Sequence, residues 1–214
     1  MGHGLDRGSA AATGHETFAE LLERVRACRL CAAHLPLGPN PVFRLAETAR
    51  LLIVGQAPGT KVHMTGIPWN DPSGDRLRAW LKLDRGAFYD TARIAILPAG
   101  LCYPGRLPQG GDCPPRPECA PLWHPLLRAR LADIRLTLLV GSYAQAHYLG
   151  PRRGKTLTET VRRFRDYLPE FAVLPHPSWR TLAWAKRNPW FARRALPALR
   201  RRVREALGAE QVSP

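Results

Sequence analysis

The sequence predicts an α/β protein with a central, mainly parallel sheet of four strands. Arg50–Val54, Arg93–Leu97, Leu136–Val140 and Phe171–Leu174 are short apolar runs without the polar alternation of a half-solvated strand, as expected where both faces are covered. Stretches with helical spacing of apolar residues fill the chain between them. Each run also leaves through glycine or proline, the residues that end regular structure. Strands alternating with helices imply right-handed crossovers and hence parallel neighbours.

Taken in order, His15 to Cys28 reads as a helix, because Phe18, Leu21, Leu22 and Val25 share a face and Thr17 or a neighbour supplies a cap. The Pro/Gly-rich turn Pro36 to Pro41 leads to the first strand. That strand empties into Gly55-Gln56-Ala57-Pro58-Gly59, where two glycines permit close backbone approach and Pro58 fixes a turn angle. A ligand at the carboxyl end of such a strand is the usual arrangement in open α/β sheets. Next, Trp69-Asn70-Asp71-Pro72-Ser73-Gly74-Asp75 places an aromatic plane, an amide and a carboxylate ahead of a helix over Gly74 to Leu83, with Ser73 as the expected N-cap.

The second strand exits through Pro98 to Gly105, and residues 103 to 118 hold so much proline and glycine that a long loop without regular structure is expected. Cys119 opens a helix through Leu131, and Ser142 is expected to cap the helix after the third strand. Residues 156 to 168 form another helix. The fourth strand closes with Pro175-His176-Pro177-Ser178-Trp179-Arg180, and Pro189 to Leu207 is a helix with an arginine-lined face, bent near Pro197.

A length of 214 residues suits one compact domain, expected over residues 15–208, with 1–14 as a disordered Gly/Ser/Ala/Thr-rich leader and 209–214 as a tail. No apolar stretch approaches the roughly 20 residues that span a bilayer, and the N-terminus lacks the apolar core of a signal peptide, so a soluble, cytoplasmic protein with no membrane partner is expected. The formal net charge of +15, from 32 Lys+Arg against 17 Asp+Glu, favours a polyanionic partner; a basic protein from an arginine-rich proteome is the alternative. Five cysteines in a cytosolic setting point to a metal or cluster site before disulfides.

A Gly-Gln-Ala-Pro-Gly strand exit paired with a late His-Pro-Ser strand exit resembles the two signature motifs of the uracil-DNA glycosylase superfamily, and the likeness runs over roughly residues 16 to 205. The resemblance implies a three-layer α/β/α fold with the active cleft along the carboxyl edge of the sheet. It implies a monofunctional enzyme that flips uracil out of DNA and hydrolyses its N-glycosidic bond, leaving an abasic site.

Such chemistry turns the sugar cationic and expels the base as an anion, so donors must face the base and a carboxylate or water the sugar. By resemblance, His176 donates to a uracil carbonyl, the backbone at Gly55, Gln56 and Ala57 contacts the base, and Trp69 is the platform on which it stacks. The best-known branch has an aspartate where this chain has Ala57. The branch with a Gly-Leu-Ala-Pro-Ala motif instead carries an aspartate just before Ser-Gly-Asp, and Asp71 resembles it; Asp71 is therefore assigned to the water or the cationic sugar. Asp75 is read as complementing the helix dipole.

Relatives place an asparagine at the end of the second strand, where this chain has Pro98, so backbone groups, Asn70 or a different donor must read the uracil edge. Pro58, Gly59, Ser178, Trp179, Arg180 and Arg187 are the expected DNA contacts, with Trp179, Arg180 and Leu182 as alternative wedges for the vacated stack.

Cys28-x2-Cys31, Cys102 and Cys119 match the cysteine order of the iron-sulfur-bearing branch, which implies a 4Fe-4S cluster, with structural zinc as the alternative; Cys113 is read as free. A monomer is expected. Two rival functions remain at this level: a nonenzymatic binder of uracil-containing or abasic DNA, and covalent trapping of the abasic sugar. The loop Tyr103 to Gly111 lacks the histidine that trapping uses in one relative.

Overall fold

The computed structural model describes residues 16–208; the expected leader and tail, and His15, lie outside the described residues. Four strands, β1 (Leu51–Val54), β2 (Ile94–Ile96), β3 (Leu136–Val140) and β4 (Phe171–Leu174), form one sheet in the order β2-β1-β3-β4, and every pairing is parallel. All residues of these strands are buried. Because side chains alternate across a strand, Leu51 and Ile53 face one core and Leu52 and Val54 the other.

The first core is closed by α3 (Pro72–Leu81) and α9 (Leu196–Leu207), which supply Leu77, Leu81, Leu199 and Val203. The second is closed by α1 (Phe18–Arg26), α5 (Cys119–Arg128) and α6 (Ser142–Leu149), through Leu21, Val25, Trp123, Leu127 and Ala144. These two helical layers around a parallel sheet make the three-layer α/β/α fold. With β1 between β2 and β3, the crossover from β1 to β2 runs to one side and the crossover from β2 to β3 returns past β1 to the other, so a crevice opens at the carboxyl ends of β1 and β3.

Several local expectations change. The N-cap of α3 is Asp71 rather than Ser73: its backbone is extended, its side chain accepts from the Gly74 N–H at 2.8 Å, and Pro72 occupies the first turn, where a missing N–H costs nothing. Gly141, at φ +89°, precedes α6 in place of Ser142. Residues 156 to 168 divide into α7 (Leu157–Arg162) and a 3₁₀ turn, Phe164–Tyr167. The last helix is preceded by a π turn at Phe191–Ala195, which takes up the bend expected near Pro197 and leaves that proline harmlessly in the first turn of α9. Three short helices had no strong periodic signal: α2 (Thr60–Thr65), α4 (Arg85–Tyr89) and α8 (Arg180–Arg187).

Candidate active site

A cavity of about 360 Å³ opens at the carboxyl edge of the sheet. The turn after β1 supplies Gly55, Gln56, Ala57, Pro58 and Gly59; the approach to α3 supplies Trp69 and Asp71; the segment after β4 supplies His176, Ser178, Trp179 and Arg180. Residues more than a hundred positions apart thus share one wall-to-wall space.

The Trp69 turn is held from below. Trp69 has φ +57°, a left-handed conformation that a bulky residue adopts only when its surroundings over-determine it. Arg78, 7% exposed, donates to the Trp69 carbonyl at 3.2 Å, and the Tyr89 hydroxyl donates to the Pro68 carbonyl at 2.8 Å. Arg78 also pairs with Asp75, so Asp75 serves this clamp as well as the helix end. Gly74 is obligatory, since a Cβ there would lie 1.7 Å from the Trp69 carbonyl oxygen. The indole packs over Gly55, where a Cβ would come within 2.8 Å of Cζ2, and stacks on the His176 ring at 5.6 Å and 29°.

His176 is fixed just as firmly. Its carbonyl accepts from the Thr181 hydroxyl at 2.5 Å, and Gly141 leaves space behind its Cβ. Arg76, on α3, donates to the Pro177 carbonyl at 2.6 Å. Desolvation holds the imidazole pKa below its ordinary value, against the opposing pull of Asp71. A neutral ring carries one N–H and donates without bringing a full charge into the pocket.

Asp71 spends one carboxylate oxygen on the Gly74 N–H. The cap orients the group, and its second oxygen remains for the cavity it lines.

Other expected residues lie elsewhere. Asn70 accepts from Arg85 at 3.1 Å and does not line the cavity, nor does Arg187, in the last turn of α8. Leu182 is exposed on α8, whereas Trp179, 71% exposed, and Arg180 stand at the mouth. The Gln56 side chain donates to the Cys113 carbonyl at 3.1 Å, so its amide braces the loop. Pro98 lines the cavity, but its carbonyl accepts from His124 Nε2 at 3.1 Å, while His124 Nδ1 accepts from the Tyr148 hydroxyl at 2.8 Å.

Sequence reasoning passed over Ser73 and Asp112, both of which line the cavity. Asp112 closes a small hairpin inside the Pro/Gly-rich loop: Arg106 and Asp112 form an antiparallel bridge, and Leu107 N–H donates to the Gly111 carbonyl at 2.9 Å. The adjacent glycines Gly110 and Gly111, both at positive φ, were the available signal for a tight turn there.

The cysteines gather at a second place. Cys28, Cys31, Cys102 and Cys119 line one small cavity with Leu35, Pro39, Pro41 and Trp123, and Cys113 lies outside it. Burial pushes the Cys31 and Cys102 thiols up, and Cys119 up to about 12. Thiolates in that setting need a cation to compensate them. The Leu101 N–H donates to Cys119 Sγ at 3.3 Å. Among the described residues, no three Cys, His, Asp or Glu side chains are arranged around a single metal position.

No helix among the described residues is long and apolar enough to cross a membrane. The sequence matches the model of the uracil DNA glycosylase superfamily over residues 43–200, a span that contains the sheet, both motif loops and the Asp71 helix. With the match covering most of its length and its cleft at the carboxyl edge of the sheet, the chain belongs to the uracil DNA glycosylase superfamily.

Proposed function

We propose that this DNA glycosylase-type protein is a monofunctional hydrolase that removes uracil from DNA, leaving an abasic site. The observation that carries the reading is the meeting of Asp71 and His176, from loops after different strands, in one cavity of about 360 Å³, roomy enough for an extruded nucleotide and walled by Trp69.

The roles follow from the charges that develop. As the C1′–N1 bond breaks, the electron pair leaves with the base, and neutral His176 donates to the uracil carbonyl oxygen that takes up the negative charge. Asp71, oriented by its capping bond, faces the cationic sugar. Backbone at Gly55, Gln56 and Ala57 meets the base edge, and Trp69 forms the aromatic wall. Pro98 offers the base neither an N–H nor a free carbonyl, which leaves Ser73 and backbone groups to read the pyrimidine. Pro58, Gly59, Ser178, Trp179 and Arg180 border the mouth, where Trp179 is the aromatic group best exposed to fill the stack behind an extruded nucleotide.

The four cavity cysteines fit a 4Fe-4S cluster, which as a structural group would tie the end of α1 to the segments before and within α5 and supply no step of hydrolysis. Zinc would accept the same four sulfurs, and the resemblance to the cluster-bearing branch is what favours the cluster.

Incubation with a uracil-containing oligonucleotide followed by alkali tests the activity. Strand scission at the uracil is expected, and intact DNA at enzyme excess would favour a nonenzymatic binder.

A further inference from the structure

The first motif of this chain has Ala57 where one branch of the family has a carboxylate, and the structure brings a carboxylate to the same turn from the loop after β2. The Asp112 side chain lies against that turn: its Oδ2 is 3.4 Å from where a Cβ on Gly59 would stand. Its backbone is anchored on both sides. Arg106 bridges to Asp112, the Cys113 N–H donates to the Gly105 carbonyl at 2.9 Å, and the Cys113 carbonyl accepts from Gln56 of the first motif.

We propose that Asp112 is the catalytic carboxylate that positions and deprotonates the attacking water, leaving Asp71 to stabilise the cationic sugar. This rests on the hydrolytic reading above. In the step, the water gives a proton to Asp112 while its oxygen forms the bond to C1′. The C1′–N1 bond breaks, and its electron pair departs with uracil as the anion facing His176. The proton on Asp112 then passes to solvent.

Three features suit Asp112 to this task. It stands at the mouth and is open to water in the free protein, so a water can be collected there and enclosed when DNA covers the site. Among the described residues no protein donor occupies its carboxylate oxygens, whereas Asp71 has one committed to the helix. Partial desolvation raises its pKa, Asp71 adds to the rise and Arg106 opposes it, which makes Asp112 a stronger base than an ordinary aspartate. Arg180 flanks the hairpin tip at Gly111, and His176 lines the same cavity.

The test is single-turnover release of uracil from a single-stranded oligonucleotide by wild type, Asp112→Asn and Asp112→Glu, with binding measured on the thymine version of the same strand. Asn should slow release about 10²-fold or more with affinity within threefold, and Glu should be at least tenfold faster than Asn. An Asn variant that releases uracil within threefold of wild type would overturn the proposal and leave the hydrolytic reading intact. The same holds for an Asn variant that merely binds DNA more tightly. Wild-type protein that releases no uracil would overturn both.

Discussion

Arg76 donates to the carbonyl oxygen of Pro177 at 2.6 Å across 101 positions of sequence. The bond joins α3, the helix capped by Asp71, to the loop that carries His176, so the two groups assigned to sugar and base share one frame. Arg76→Met keeps the aliphatic stem and removes the donor. It should cost about 1–2 kcal/mol of stability in urea denaturation. It should also slow uracil release at least tenfold with little change in DNA affinity, because a small misplacement at a reacting centre is expensive.

Asp71 has two jobs that substitution can separate. Asp71→Ser keeps an oxygen for the Gly74 N–H and should leave the urea midpoint near wild type while slowing excision about 10²-fold. Asp71→Ala should lose the activity and a further ~1 kcal/mol with the cap.

Much of this was legible in the sequence. The runs at residues 51–54 and 136–140 read as strands buried on both faces, and the resemblance placed the Gly-Gln-Ala-Pro-Gly and His-Pro-Ser exits at one sheet edge. The cap at Asp71 was missed because Ser73 is an equally good capping residue, and only the fixed φ of Pro72 decides which of them lies outside the helix. Asp112 was missed for a different reason. Its hairpin depends on two positive-φ glycines and on a tether from Gln56, a long-range bond that no local pattern announces. The placement of Asn70 outside the cavity was hidden in the same way, since its side chain accepts from Arg85 of the next helix.

His124 predicts an acid weakness. In the unfolded chain its imidazole binds a proton near pH 6.5; in the fold, burial pushes its pKa down to about 4, with His147 and Arg128 adding to the shift and the Pro98 carbonyl opposing it. Between those values the unfolded state holds more protons, so stability is fully present above about pH 6.5 and falls as the pH drops toward 4, by about 3 kcal/mol in all. His147, which packs against it and is also shifted down by burial, adds in the same direction. Urea midpoints for wild type and His124→Gln at pH 7.5 and 4.5 should show a smaller drop in the variant.

The cysteine cavity predicts colour. Protein purified without oxygen should be brown with broad visible absorption, and Cys119→Ser should lose both the colour and several degrees of thermal stability. Colourless protein carrying one equivalent of zinc would replace the cluster with a single ion.

In the proposed reaction His176 and Asp71 act together on one extruded uracil. Single-turnover excision from U:G, U:A and single-stranded uracil substrates, in wild type and His176→Ala, tests it most directly. Alkali-labile sites are expected with wild type, and a rate at least 10²-fold lower with the variant at similar DNA affinity. Equal rates for the two proteins, or intact DNA with wild type in excess, would contradict it.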